Sequence, residues 1–476
     1  MTQNNLWTLE ALVAATGGTV SGTPSQTMGG VSIDSRTIAK DDIFVAIKGD
    51  SMDGHDFVTA ACEKGAGIAI VSRINPDWPK NLPLLCVTDD PLAALERLGR
   101  AARARSHAKI IAITGSVGKT STKEMLRVAL SASSEAHASA ASFNNHWGVP
   151  LTLARFPTTA GFGVFEIGMN HAGEITPLVS MVKPHVAIVT TVAASHLGHF
   201  KSLDEIADAK SEIFSGVVSG GHAVINRDSP YFERLSKVAK SHGITSITGF
   251  GRHEKADVRM DAVALRPDCC CITASIMGEK VIYKLGMPGE HMALNSLAVL
   301  AAAKLVGADL ARAALALSEA KPAKGRGGQI KLQHPGGELL LLDESYNANP
   351  ASVAAAIALL ANLKPAKSGR RIAVLGDMLE LGDFGADLHR NLSHDIEHNG
   401  IDRVYAAGPL MKHLWDVLPK KKRGGYAPQS TNLTDMLVNE LRAGDCVMIK
   451  GSLGSRMGPV VEALKTKWPQ SQKEDV

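Results

Sequence analysis

At 476 residues the chain has room for about three domains, each able to bury its own core. Hydrophobic residues make up 45% and charged residues 21%, the balance of a globular protein, and a net charge of +4 over this length excludes the dense basic surface of a nucleic-acid binder. The longest apolar stretches, such as "ASVAAAIALLANL" from residue 351, fall short of a membrane span, and "MTQNNLWTLEALVAATGG" lacks the basic-then-apolar order of a secretory signal, so a cytoplasmic protein is expected.

Residues 30–71 read as short strands and turns around one helix, and a domain boundary is expected near residue 88. "DPLAALERLGRAARARSHA" is helical by its i, i+3, i+4 spacing and leads into an apolar run, Ile110 to Ile113. The run opens "IAITGSVGKTSTKEML" (111–126), in the strand, glycine loop and helix order of a phosphate cradle. Backbone N–H groups of such a loop converge on one spot, Lys119 would add a full charge there, and the Thr120 hydroxyl would ligate Mg²⁺. The usual pattern G-x-x-x-x-G-K-[ST] wants a glycine where Ile113 stands, so a structural turn beside a surface lysine is the alternative.

Beyond the loop, "GFGVFEIG", "HVAIVTTVA" and "GHAVINRD" are short apolar runs separated by helical patterns such as "SLDEIADAKSEIFSGV". This predicts an open, mainly parallel α/β sheet whose ligands bind past the carboxyl ends of its strands. Glu166, at the end of "VFEI", is placed either to hold Mg²⁺ opposite Thr120 or to cap a helix. "SHLGHFKSLDEIADAKSEIF" offers His196, His199 and Lys210, without a third ligand at zinc spacing; Lys210 alone reads as a solvated lysine. Asn295 interrupts the apolar helix "GEHMALNSLAVLAAA", and a ligand is one of several partners it could have. The adjacent Cys269, Cys270 and Cys271 read as reduced core residues, since the six cysteines include no C-x-x-C pair.

A third unit is expected from residue 322, with strands at "ELLLLDES", "RIAVLGDM", "RVYAAG" and "CVMIKGS" and a helix starting at Asn349-Pro350. Arg326 lies in the glycine-rich junction "KGRGGQI", able to reach a phosphate or to stand in solvent.

Taken together these pieces resemble the Mur ligase family, which builds the peptide of bacterial cell-wall precursors. The shortened loop "TGSVGKTST" is the form that family carries. "DSRTIAKDDIFVAIKGDSMDGHDF" resembles its N-terminal domain, "FNNHWGVPLTLAR", "EIGMNHAGEI", "HLGHFKSLDEIADAKSEIF" and "INRD" its central ATPase domain, and "PGEHMALNSLAV" with the Gly-Arg at 325–326 its nucleotide-binding end. The resemblance implies a small α/β substrate domain (1–88), a central P-loop ATPase domain with a mainly parallel sheet (89–321) and a C-terminal Rossmann-like α/β domain (322–476). It implies that Gly115, Ser116, Val117, Gly118, Lys119, Thr120 and Ser121 wrap the ATP phosphates. Asn295 would meet the adenine, Arg326 the γ-phosphate and Asp343 the ribose side. Thr120, Glu166 and His196 would serve two Mg²⁺ sites together with Lys210, carbamylated. Ser35 and Arg36 would lie near the uridine end of the substrate, and Asn144 and Asn145 near its sugar or phosphates. His146 and Trp147 depart from the glutamate and aliphatic residue expected there.

Within the family, "DESYNANPASVAAAI" (343–357) and "GDMLELGD" (376–383) resemble the branch that adds D-alanyl-D-alanine to UDP-N-acetylmuramoyl-tripeptide, and no Asp-Asn-Pro-Arg motif of the preceding ligase is present. The implied protein is a monomer with small-molecule substrates, no nucleic acid and no membrane span. Two rivals follow: a family member that adds a diamino acid or extends folate with glutamate, and a P-loop regulatory ATPase that forms no amide.

Overall fold

The computed structural model describes residues 5–140, 142–366 and 368–471; the outer ends of the expected 1–88 and 322–476 units lie outside the described residues. Mixed α/β architecture runs throughout. The first sheet holds β1 (Thr19–Ser21), β2 (Val31–Ser32), β3 (Ile43–Val45), β4 (Ile68–Val71) and β5 (Leu84–Cys86) in the order β1-β5-β4-β3-β2. It is parallel except where β1 meets β5. Two helices flank these short strands: Val58–Glu63, the one helix expected within residues 30–71, and Leu9–Thr16, which precedes that stretch.

Helix α1 (Pro91–Ala104) starts as its sequence requires, with Asp90 accepting from the Leu92 N–H and proline in the first turn. It leads into a nine-stranded sheet. The strands are β6 (Lys109–Thr114), β7 (Ala136–Ala138), β8 (Phe162–Glu166), β9 (Val186–Val189), β10 (His222–Asn226), β11 (Ser246–Gly251), β12 (Val258–Leu265), β13 (Cys270–Ile276) and β14 (Glu279–Leu285), in the order β14-β13-β12-β11-β10-β9-β6-β8-β7. Strands β7 to β12 pair in parallel. Strand β6 is covered on both faces: Ile110 and Ala112 pack with Leu95 and Leu98 of α1, whereas Ile111 and Ile113 pack with Met125 and Leu126 of α2 (Lys119–Ser131). Each such isoleucine or leucine side chain, fully removed from water, contributes about 1.5–3 kcal/mol, so the strand that carries the glycine loop is firmly seated.

The antiparallel run β12-β13-β14 was not anticipated. Its alternation buries Cys270 and exposes Cys271, while Cys269, just ahead of β13, is also buried, which corrects the reading of all three as core residues. The helical pattern at 202–217 resolves into α3 (Leu203–Ser211) and a 3₁₀ turn, Glu212–Gly216; helix Phe232–Ser241 follows β10, and α4 (Glu290–Leu305) follows β14. His196 and His199 sit at a 3₁₀ turn rather than on an α-helix.

The last sheet holds β15 (Gly328–His334), β16 (Gly337–Glu344), β17 (Arg371–Gly376), β18 (Arg403–Ala407), β19 (Arg423–Ala427) and β20 (Cys446–Lys450), ordered β15-β16-β20-β17-β18-β19. Only the β15–β16 hairpin is antiparallel. Helix α5 (Pro350–Asn362) begins with a capping box between Asn349 and Ser352.

Candidate active site

Strand β6 is the point where strand order reverses, with β8 on one side and β9 on the other, and open α/β sheets bind ligands beyond the carboxyl ends of strands at such a point. The glycine loop leaves β6 there. Gly115 has φ +150°, and a Cβ on it would lie 1.9 Å from Thr190 Oγ1; that hydroxyl donates to the Val117 carbonyl at 2.6 Å. Gly118 has φ +84°, and a Cβ there would stand 2.6 Å from Asn295 Nδ2. Ser116 Oγ exchanges hydrogen bonds with the backbone of Ala193 at 2.9 and 3.0 Å. No side chain caps α2, so its first-turn N–H groups, from Lys119 to Ser121, are left to face an anion.

Lys119 is half-buried, and its Nζ donates to the Gly115 carbonyl at 2.6 Å. Burial of the ammonium, with Arg326 nearby, pulls its pKa below the ordinary lysine range against the opposite pull of Glu166. Parallel pairing of β8 with β6 brings Glu166 level with Ile113, beside the loop. Its Oε2 accepts from Thr120 Oγ1 at 2.9 Å, and its Oε1 from Asn144 Nδ2 at 2.7 Å. Asn145 is used differently: its Oδ1 accepts from the Trp147 and Gly148 N–H groups at 3.3 and 2.9 Å, holding the start of helix Gly148–Ala154. Trp147 packs against the N-terminal unit, 3.0 Å from where a Gly49 Cβ would be.

Lys210, on α3, is buried with no hydrogen-bond or ion-pair partner among the described residues. Burial, and then the charge of Lys119, drives its pKa well below the ordinary value. His196 is pulled down by burial first, with Lys119 and Lys210 adding to the effect and Glu380 opposing it. These shifts place Lys119, Lys210 and His196 within one another's field. Thr120 and Glu166 supply hard oxygen donors beside them, the donor set that Mg²⁺ prefers, so the residues fit a divalent cation.

The opposite wall comes from the last sheet. Carboxyl ends of β16 and β20 present a buried pair, Glu344 and Lys450, at 3.0 Å, and Lys450 also donates to the Asn347 carbonyl at 3.0 Å. The Arg326 guanidinium lies 4.2 Å from the centroid of the Tyr346 ring. Asp343 is buried behind this wall, its Oδ1 accepting from Ser345 Oγ at 2.6 Å. Between the two walls is a cleft of about 540 Å³, lined by residues 116–121, Asn144, Glu166, His196, Asn295 and Arg326 among others. Of the residues singled out from the sequence, Gly115, Asn145, Lys210 and Asp343 stand behind this lining. Ser35 and Arg36 belong to the N-terminal unit, where Arg36 pairs with Asp34 at 2.7 Å and is largely exposed. Glu344, Lys450, Tyr346, His291 and Glu380 line the cleft and were missed. Applying the carboxyl-end rule to "LLLLDE" and "CVMIK" would have found the first two.

A phosphate cradle, an adjoining carboxylate and a second α/β unit closing the far wall define a nucleotide-dependent enzyme of the P-loop class. Three family models match in chain order: "Mur ligase family, catalytic domain" over residues 27–103, "Mur ligase middle domain" over 113–303 and "Mur ligase, glutamate ligase domain" over 331–453. The UDP-N-acetylmuramoyl-tripeptide--D-alanyl-D-alanine ligase of Rickettsia prowazekii (strain Madrid E) is 32% identical over 457 residues, covering 96% of this chain and 99% of that protein. A crystal structure of MurF from Acinetobacter baumannii superposes with a TM-score of 0.83 at 30% identity, over 97% of this chain and 99% of that one. MurF ligase from Thermotoga maritima in complex with ADP gives 0.75 at 25% identity, over 92% and 97%. The chain belongs to the Mur ligase family.

Proposed function

We propose that the chain joins D-alanyl-D-alanine to the terminal carboxylate of UDP-N-acetylmuramoyl-tripeptide, with ATP converted to ADP and phosphate, in the cytoplasmic synthesis of peptidoglycan precursor. The observation that carries this reading is similarity from end to end to ligases bearing that name, joined to a phosphate cradle that faces a second α/β unit across one cleft.

A carboxylate cannot acylate an amine directly, because oxide would have to leave. One carboxylate oxygen of the tripeptide therefore attacks the γ-phosphorus and ADP departs, giving an acyl phosphate. The dipeptide's free amine then attacks that carbonyl, phosphate leaves, and the amide forms after loss of a proton. Both steps ask the protein for positioning and for charge on the phosphoryl and carbonyl oxygens. The residue roles in this proposal are those the sequence suggested. The loop N–H groups and Lys119 cradle the transferred phosphoryl, and Arg326, held on the Tyr346 face, reaches it from the other wall. Asn295 meets the adenine and Asp343 the ribose side. Ser35 and Arg36 take the uridine end, and Asn144 and Asn145 the sugar or phosphates.

Thr120, Glu166, His196 and a carbamylated Lys210 would hold Mg²⁺, which when bound supplies further positive charge at the phosphate oxygens. Lys210 supports this reading because an amine pushed toward its neutral form by burial is the form that reacts with CO₂. The protein acts as a monomer in this proposal, with units bounded near residues 88 and 321.

The test is ADP release measured with UDP-muramoyl-tripeptide, with and without D-alanyl-D-alanine. Turnover that depends on the dipeptide is expected. Turnover supported by single amino acids, or ATP hydrolysis indifferent to both peptides, would sink the assignment.

A further inference from the structure

Two loops from different sheets meet at the rim of the cleft. One follows β9 and carries His196; the other follows β17 and carries Glu380. His196 Nδ1 and Glu380 Oε2 are 2.5 Å apart. The Gly198 N–H donates to the Glu380 carbonyl at 2.9 Å, and a Cβ on Gly382 would come within 3.0 Å of Gly198 Cα. The loops therefore touch backbone to backbone, with little room for a side chain at Gly382. His196 and Glu380 have φ +57° and +63°, in the left-handed region that non-glycine residues rarely occupy and that persists where surroundings over-determine it.

We propose that Glu380 is a positioning residue, which fixes His196 as a ligand for a divalent cation only when the C-terminal unit is docked on the central one. This rests on the metal reading of His196 given above. An ionised carboxylate can only accept, so its bond to Nδ1 places the ring proton on that atom and leaves the Nε2 lone pair bare. A neutral imidazole with Nδ1–H held by a carboxylate is the form that binds metals, and loss of the carboxylate partner typically weakens metal affinity 10- to 100-fold. The distinctive feature is that the partner lies on another sheet, about 184 residues away in the chain. Undocking removes the carboxylate and frees both ring orientation and tautomer. Cation binding and docking are then linked, and each favours the other by the same factor.

The experiment uses the full chain loaded with ADP and titrated with Mn²⁺, following free Mn²⁺ by electron paramagnetic resonance and dimensions by small-angle scattering. In the parent, Mn²⁺ is expected to reduce the radius of gyration. Glu380→Ala is expected to bind Mn²⁺ about 10- to 100-fold more weakly and to need correspondingly more Mn²⁺ for the same compaction, with Glu380→Gln in between because its amide oxygen still accepts. His196→Ala is the reference. If it loses affinity while Glu380→Ala keeps the parent value, the positioning role is wrong and the metal reading stands. If both keep parent affinity, His196 is not a ligand and both ideas fall. Compaction that is independent of Mn²⁺ overturns the linkage.

Discussion

Gly115→Ala should damage the phosphate cradle by an amount that can be reckoned from two contacts. The new Cβ would lie 1.9 Å from Thr190 Oγ1 and 3.2 Å from the Thr191 backbone nitrogen, so Thr190 must give way. Rotating its hydroxyl breaks the 2.6 Å bond to the Val117 carbonyl, costing about 1 kcal/mol net. Holding alanine at φ +150° costs about 1–3 kcal/mol more. Together these give about 2–4 kcal/mol. If the variant loop keeps its shape, the cost appears as lost folding stability. If it relaxes when empty and must be forced back by nucleotide, the cost appears in ATP affinity, at about 1.4 kcal/mol per tenfold, or roughly 30- to 700-fold. Urea unfolding and ADP titration calorimetry on the same protein measure both parts. Gly220→Ala is the control, since Gly220 has φ +74° with nothing within 4 Å: it should cost about 1–2 kcal/mol of stability and leave nucleotide affinity alone. Parent values of both stability and affinity in Gly115→Ala would refute the reasoning.

Lys119→Ala should fold normally and lose on the order of 10³-fold or more in ligation rate, because a charge made useful in the transition state is removed; near-parental turnover would make the loop structural. Lys210→Ala should be nearly inactive and partly restored by high formate or acetate, whereas Lys210→Arg should stay inactive because its guanidinium cannot be carbamylated in this way; parental activity in Lys210→Arg would reduce this lysine to a charge on a helix. His185 gives a pH dependence. Burial, with Arg103 and Lys109, holds its pKa down to about 4, and its Nδ1 accepts from the Ile110 N–H at 2.9 Å. The unfolded chain thus binds the proton first, so stability is full above about pH 6.5 and falls as the pH drops toward 4. About half of the nominal 3 kcal/mol should survive solvent screening, since the residue is only partly buried. His185→Asn, which keeps an acceptor, should flatten that slope in urea melts, and an unchanged slope would assign it to another group.

What the sequence disclosed was local or followed from sheet topology. The loop was legible because an apolar strand, two glycines at positive φ and a helix opening are contiguous. Glu166 was legible because it ends the strand that pairs with β6, so a parallel sheet delivers it to the loop. The hairpin β13–β14 escaped because its turn carries Met277 at φ +48° before Gly278, where asparagine or aspartate would have signalled a two-residue turn. The Glu344–Lys450 and His196–Glu380 pairs escaped for a different reason. Each joins residues more than a hundred positions apart whose own neighbourhoods look ordinary.

That distant pairing also decides how charge is distributed in the cleft. Lys450 is neutralised at once by Glu344, and His196 faces Glu380, so these two cationic or titratable groups are paired within the protein. Around the loop the balance fails. Lys119, Lys210 and Arg326 have no carboxylate within ion-pair distance among the described residues, and Glu166, the acid whose charge reaches Lys119, is already engaged by Thr120 and Asn144. Uncompensated cations held away from water are costly, and the depressed pKa values of Lys119 and Lys210 record that cost. A polyanion whose phosphates reach the α2 N-terminus, Lys119 and Arg326 together would relieve it, whereas a neutral ligand of the same shape would not. The carbamate proposed for Lys210 fits the same imbalance: an ammonium there would add to an existing excess of positive charge, and a carbamate would reverse its sign. The cleft is therefore electrostatically incomplete on its own, and the chemistry that completes it is that of a nucleoside triphosphate.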